Sequence, residues 1–475
     1  MSLIHYDACI VGSGQAGTPL ASALANSGKK TVLVEGKHVA GCCVNEGCTP
    51  TKTMIASGRV AYLARRGKDY GLQDSKGDPV DVSVNMLTVR QRKRDIVNSF
   101  RGGSEKRVKD AGIDLLEGEA SFLDAKRLSV KKIDGSVVEI TAESIFINTG
   151  ERPAKPDLPG LDTVASDIIL DSTSIQELSK VPEHLLVLGG GYIGLEFGQL
   201  FRRLGAHVTI IQRGSQLLPR EDPDISKTML DILREDGITV HLNTRATSII
   251  QRSPNDHLSL SIKSVDGESH EVLGSHLLVA AGRSPNTDML NLNGIGIETT
   301  NRGHIIANDR LETNLPGIFA LGDVKGPPAF THISYDDFRI IRANIIDKNP
   351  TPLTTTDRVV PYVVYTDPQL GHVGLHEAEA RAKYPDRTIK TAKMPMSYVA
   401  RALETDESRG LMKAVVDDES GQILGFSCLG LEGGEIMSIV QMAMIGGQRW
   451  EKLRDAVWAH PTLAESLNNI WGFLE

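Results

Sequence analysis

The sequence predicts an α/β fold built on two Rossmann-like dinucleotide-binding domains, and three observations predict it. A strand, a glycine loop, a helix and a second strand follow one another at the start of the chain. The same succession returns from Leu185. The 475 residues leave room for roughly three domains, each with a core of its own.

In the first copy, Ala8 to Val11 is a short apolar strand and GSGQAG supplies Gly12, Gly14 and Gly17. Thr18 to Ser27 reads as helix, and Thr31 to Val34 is the next strand, closed by Glu35. The glycines serve a tight turn, close backbone approach to a pyrophosphate, and close packing of helix on strand. The helix N-terminus faces the phosphates with unpaired amides and the positive end of its dipole. Glu35 can accept hydrogen bonds from a ribose diol.

Next comes GCCVNEGCTPTK from Gly41, with Cys42, Cys43 and Cys48 crowded together. On an ideal helix, Cys43 and Cys48 would be rotated apart by about 140° and separated by roughly 7.5 Å. A sulfur–sulfur bond wants Cα atoms within about 7 Å. Bonding of these two therefore requires a turn or a distorted helix start, which Asn45, Gly47 and Pro50 make plausible. The rival reading is metal binding. It needs further soft or imidazole ligands, and neither Cys-x-x-Cys nor a closely spaced histidine pair is read in the chain, so no metal ligands are expected.

The second copy runs from strand Leu185–Leu188 through Gly189, Gly191 and Gly194 into a helix ending at Leu204, then strand Val208–Ile211. Glu35 lies eighteen residues after Gly17; eighteen after Gly194 stands Gln212, followed by Arg213. The carboxylate that would repel a 2′-phosphate is absent and a cation stands beside its place, which favours NADPH over NADH. Arg220, in LLPREDPD, is a second candidate for the phosphate. Two sites imply two jobs, a resident flavin (FAD) and a diffusing hydride donor. Ile318 to Asp323 reads as a buried strand ending at Gly322, with Asp323 placed for hydroxyls of the flavin's ribityl chain.

Composition narrows the class. A net charge of −8 argues against nucleic acid as main partner, since phosphate neutralisation needs a basic face. The basic run Arg90 to Asp95 reads as the solvated face of a helix. No apolar run reaches the roughly 18 residues of a membrane span, and the N-terminal segment runs straight into a strand rather than resembling a secretion signal. Five cysteines, three of them clustered, suit redox chemistry in a cytoplasmic enzyme better than a stapled secreted domain. Cys9 and Cys428 read as buried packing residues.

Taken in order, the flavin glycine loop, CVNEGCTPTK, GGGYIGLE, AGRSPN, ALGD and HPTLAE resemble the pyridine nucleotide–disulfide oxidoreductase family over nearly the whole chain. The resemblance implies an FAD-binding domain from residues 1–155 and 283–350, an NAD(P)H-binding domain over 156–282, and an α+β dimerisation domain over 351–475. It assigns Gly150 and Gly282 to dinucleotide contacts. It implies a redox disulfide between Cys43 and Cys48, with Cys48 facing the flavin and Cys43 attacking substrate. Tyr192 would gate the nicotinamide side of the flavin, and Lys52 would pair with Glu196 beside it. His460, held by Glu465, would serve as base for the other subunit of a homodimer.

Within that family the function expected is NADPH-dependent reduction of a small disulfide or other thiol-coupled acceptor. Gln212 weighs against an NAD-dependent dihydrolipoamide dehydrogenase. Several strings, FTHISYDDFRI among them, resemble mercuric reductases, but those end in a vicinal cysteine pair and this chain has no cysteine after Cys428. A non-catalytic redox-responsive flavoprotein is the remaining alternative. It would not need Cys43, Cys48, His460 and Glu465 together. Cys42 departs from the small hydroxyl residue that relatives carry; it is expected to be a packing substitute near the flavin, the alternative being a third thiol that relays or traps oxidant.

Overall fold

The computed structural model describes residues 3–78, 80–253, 256–356 and 358–475. The chain forms two compact units: Met1–Thr53 with Gln91–Ala154 and Gly282–Arg358, and Met54–Arg90 with Lys155–Ala281 and Val359–Glu475. Among the described residues no helix is long and apolar enough to cross a membrane.

The first unit is built on strand Ile4–Val11, which pairs in parallel with Thr31–Glu35 on one side and Val137–Ile147 on the other. Strand Ile318–Ala320 extends the sheet in parallel beyond Val137–Ile147, and Asp114–Asp124 extends it beyond Thr31–Glu35. Parallel strands covered on both faces carry continuous apolar runs rather than alternation. Val32, Leu33 and Val34 accordingly are all buried, and they feed two cores on opposite faces of the sheet. Helix Gly17–Asn26 places Leu20, Ala21 and Leu24 in one of them.

The second unit repeats this plan. Strand His184–Leu188 lies between His207–Ile211 and His276–Val279, all parallel, and helix Tyr192–Leu204 follows the second glycine loop. The same unit holds a five-stranded antiparallel sheet in the order Pro361–Val364, Gln369–Gly374, Ile423–Gly430, Leu411–Asp417, Ile389–Pro395. Every residue of Ile423–Gly430 is buried, and helix Gly433–Ile445 covers the sheet with Ile436, Met437 and Val440. The α/β class with two Rossmann-like domains and a C-terminal dimerisation-type domain is the fold of this chain.

Helix Met86–Asp110 carries the basic run, and one member is not solvated: Lys93 is 3% exposed. Arg92 reaches back to the Thr53 carbonyl at 2.7 Å, so part of this face serves packing rather than solubility.

Candidate active site

The two glycine loops have the same covalent reason for their glycines. Gly12 and Gly189 sit at φ +100° and +112°, and a Cβ there would lie 2.3 Å from the Asn148 carbonyl oxygen and 2.5 Å from that of Ala280. At Gly17 and Gly194 a Cβ would stand 2.0 and 2.1 Å from the carbonyl oxygens of Gly12 and Gly189, so helix and strand approach backbone to backbone. Glu35 Oε2 accepts from the Ser13 amide at 3.0 Å, and Gln212 Oε1 accepts from the Gly190 amide at 3.2 Å. Both side chains thus tie down the residue after the first glycine, which makes them equivalents in the two copies. Arg213 and Arg220 are exposed and form no ion pair among the described residues.

In the first unit the segment from Gly41 breaks where the sequence requires. A short helix, Gly41–Asn45, ends at Glu46 with φ −136°, and helix Cys48–Arg65 begins anew after Gly47. Asn45 pins the first piece by donating to the carbonyls of Val39 and Gly41 at 3.0 and 2.8 Å. Cys48 opens the long helix, where unpaired amides and the dipole favour a thiolate. Cys43 and Cys48 stand as thiols with a hydrogen bond between them. Thr331 Oγ1 donates to Cys43 Sγ at 3.1 Å and lies 3.4 Å from Cys48 Sγ.

The Cys43 thiol is pushed up by its hydrogen bond to Cys48 and by burial, while the Thr331 hydroxyl pulls it down. Two such close sulfurs share one negative charge far more readily than they carry two. The reduced pair is therefore a dithiol that gives up a first proton and resists loss of the second.

Around the pair lies a polar rim. Burial and the charge of Glu151 push the Asp323 carboxyl up to about 6, against the pull of Arg283 and Lys325. Glu151 Oε1 holds His304 Nε2 at 2.9 Å and Oε2 holds Arg283 Nε at 3.3 Å. Arg283 Nη2 reaches Cys42 Sγ at 3.9 Å, and Cys42 is exposed. Cys9 and Cys428 are fully buried, as expected. Gly150 and Gly282 flank the paired strands Glu151–Pro153 and Arg283–Pro285, both with positive φ. The bare backbone of Gly14 against Gly41, where a Cβ would meet Gly14 Cα at 2.6 Å, gives a floor without side chains. With Glu35 at the strand end and half-buried Asp323, these residues fit FAD. Lys52 is half-buried on the Cys48–Arg65 helix.

In the second unit, Tyr192 opens its helix with 40% of its surface exposed. Glu196 is buried, and its Oε1 accepts from the Tyr365 amide at 2.9 Å. His460 is exposed; Glu465 Oε2 holds its Nδ1 at 2.9 Å, and its Nε2 has no partner among the described residues. That is the orientation of an imidazole whose second nitrogen works on another group.

Two sets of residues escaped the sequence reading. Thr331 sits within FTHISYDDFRI without a local signature. Asp367 is gripped by Arg203 and Arg59, and Arg203 stacks on Tyr62 at 3.8 Å.

A family model described as pyridine nucleotide-disulphide oxidoreductase matches residues 6–337, and its dimerisation-domain counterpart matches residues 360–470. The chain is 35% identical over 474 residues to the probable pyridine nucleotide-disulfide oxidoreductase RclA of Escherichia coli (strain K12), covering 99% of each. It is 34% identical to the mercuric reductase of Staphylococcus aureus, covering 97% of this chain and 81% of that one. With the dihydrolipoyl dehydrogenase of Bacillus subtilis (strain 168) it shares 32% identity, covering 97% and 95%. Among solved structures, the HOCl-induced flavoprotein disulfide reductase RclA from Escherichia coli superposes with a TM-score of 0.87 at 34% identity, covering 98% of this chain and 99% of that one. Its Cu(II) complex gives the same TM-score, covering 99% of both.

Proposed function

Because the chain belongs to the pyridine nucleotide-disulphide oxidoreductase family and is an FAD-dependent enzyme of that kind, we propose that it takes electrons from NADPH and delivers them through Cys43 and Cys48 to a small disulfide. The observation that carries this is the pair of thiols at a broken helix start, both within hydrogen-bond reach of Thr331. Bound FAD supplies the two-electron link between the nicotinamide and the sulfur pair.

The residues divide the work as follows. Gly12, Gly14, Gly17, Glu35, Gly150, Gly282 and Asp323 hold FAD; Gly189, Gly191, Gly194, Arg213 and Arg220 hold NADPH, with Tyr192 as the gate. Lys52 supplies the positive charge beside the flavin. The Cys43 thiolate attacks the acceptor disulfide, forming a mixed disulfide and releasing one thiolate. Cys48 then attacks Cys43 Sγ, releasing the second thiolate and closing the Cys43–Cys48 bond. His460 of the partner subunit, oriented by Glu465, hands protons to the leaving sulfurs. NADPH and a proton thereby convert one disulfide to two thiols.

Anaerobic titration with NADPH, then a panel of small disulfides, tests the proposal. Two electron pairs taken up per flavin are expected in the parent and one in Cys43→Ser; equal uptake in both would overturn it. The coenzyme preference rests on Gln212 standing where Glu35 stands in the other copy. At least a tenfold higher kcat/KM for NADPH is expected, since a phosphate–arginine contact contributes roughly 1.5–3 kcal/mol. A preference for NADH would remove that part alone.

A second reading, reduction of a thiophilic metal ion at the same sulfurs, is supported by the similar chain solved as a Cu(II) complex and by exposed Cys42 beside the pair. Metal-stimulated NADPH oxidation with no turnover of any disulfide would favour it.

A further inference from the structure

Away from the thiols, the second unit gathers a different set of donors. Glu221 lies in the loop before helix Pro223–Glu235, His372 in strand Gln369–Gly374, and His376 just ahead of helix Glu377–Lys383. One donor atom from each lies within 4.8 Å of the other two. The residues are 6%, 2% and 8% exposed.

Their hydrogen bonds leave gaps. Tyr362 donates to Glu221 Oε1 and lies 3.2 Å from His376 Nε2. Glu221 Oε2 and His376 Nδ1 are buried with no hydrogen bond among the described residues. Leaving such a group unpaired costs about 1–3 kcal/mol; Glu221 Oε2 is in that position among the described residues, while the His376 side chain also forms a capping box with Glu379. His372 Nδ1 is fixed by Ser427 Oγ at 2.8 Å, while Nε2 has only the Gly374 carbonyl at 3.2 Å.

We propose that Glu221, His372 and His376 form a binding site for a divalent first-row transition ion, with zinc as the expected occupant. Two imidazoles and a carboxylate are a zinc ligand set. On loading, His372 gives up the Nε2–H that the Gly374 carbonyl accepts, takes the tautomer with Nδ1–H donated to Ser427, and presents Nε2, the arrangement by which an outer hydrogen bond orients a ligand. Tyr362 does the same for the carboxylate. Donors about 2.1 Å from a tetrahedral ion stand roughly 3.4 Å apart, a separation that the present spread of up to 4.8 Å lets the side chains close to. The stacked rings of His372 and His376, 3.9 Å between centroids, slip so that their nitrogen edges converge.

The surroundings suit a cation. Asp222 and Glu379 face His376 with negative charge, and Lys413 and Arg220 with positive charge. Lys413 is itself taken up by Asp222, Asp224 and Glu377 at 3.0, 3.1 and 2.8 Å. Burial keeps the His372 imidazole neutral, its pKa lowered to about 3, and pushes the Glu221 carboxyl up to about 7. In sequence the feature is legible as GHVGLH, a histidine pair four apart that the thiol-centred reading passed over.

The test uses flavin-loaded protein with Cys42→Ser, Cys43→Ser and Cys48→Ser, so that the exposed thiols do not compete. One equivalent of Zn(II) retained per chain is expected. Co(II) substitution should give the intense visible bands of a four-coordinate nitrogen–oxygen site. Glu221→Gln and His376→Gln should each weaken zinc binding at least a hundredfold; flavin content and circular dichroism report whether each variant folds. Should a variant fail to fold, X-ray absorption of the zinc-loaded parent decides, with two imidazoles in the first shell expected. No retained zinc, retention unchanged in the folded variants, or a shell without imidazole overturns the proposal.

Discussion

Thr331 holds the balance of charge on the two sulfurs, since its hydroxyl is shared between Cys43 and Cys48. A hydrogen bond to a charged partner contributes roughly 1.5–3 kcal/mol, one to two pKa units. Thr331→Val should raise the first thiol pKa of the reduced enzyme by about that much, and Thr331→Ser should restore it. Ultraviolet absorbance of the thiolate against pH reads the shift; an unmoved titration would deny the hydroxyl any electrostatic role. The cysteine spacing was legible because it is local: five residues that cannot face one another on one helix demand a break, and Glu46 and Gly47 supply it. Thr331 was not. It lies 283 residues from Cys48, and nothing in its own neighbourhood distinguishes it from a helix-start threonine.

At the scale of elements, Asp367 fastens two helices. It binds Arg59 on the Cys48–Arg65 helix and Arg203 on the Tyr192–Leu204 helix, while Glu407 pairs with Arg59 and Arg66. Burial raises the Asp367 carboxyl, but Arg203 and Arg59 outweigh it and hold the group below its ordinary range. Asp367→Ala leaves Arg203, 6% exposed, without its main counter-charge, which typically costs about 3–5 kcal/mol. Urea unfolding of the variant should show a loss of that order; a loss under about 1 kcal/mol would mean the network adds little. Gly194→Ala tests the second glycine loop, since its Cβ would meet backbone at 2.1 Å. NADPH affinity should fall at least tenfold with FAD still bound, as read by fluorescence titration. Both loops were legible, and so was the exchange of Glu35 for Gln212, because an internal repeat lets one copy number the other. The burial of Lys93 was not, since a run of charges does not say which of its members turns inward.

For the molecule as a whole, pH acts most through two carboxyls, Glu221 and Asp323, held well above their ordinary values. Glu221 rises from 4.5 to about 7 and Asp323 from 3.8 to about 6, both chiefly by burial. The folded chain grips these protons more tightly than the unfolded one. Their stabilising effect is therefore complete below about pH 4 and lost as pH climbs toward 7. In metal-free protein, Glu221→Gln should flatten the fall in thermal midpoint over that range, by an amount on the order of 3 kcal/mol at the upper end. An unchanged slope would show that Glu221 ionises normally. Sharing of the active site across two subunits can be tested by complementation. If each site draws Cys43 from one chain and His460 from the other, random mixing of Cys43→Ser with His460→Gln should restore about a quarter of parental turnover. A mixture as inactive as its components would confine each site to one chain. The burial of Cys9 and Cys428 has a consequence of a different kind. A small alkylating reagent applied to native protein meets only the sulfurs at positions 42, 43 and 48, and reaches the other two after denaturation. Mass differences between the two treatments thus report the oxidation level of the centre in any preparation, with the two sheltered sulfurs as a reference carried within the chain itself.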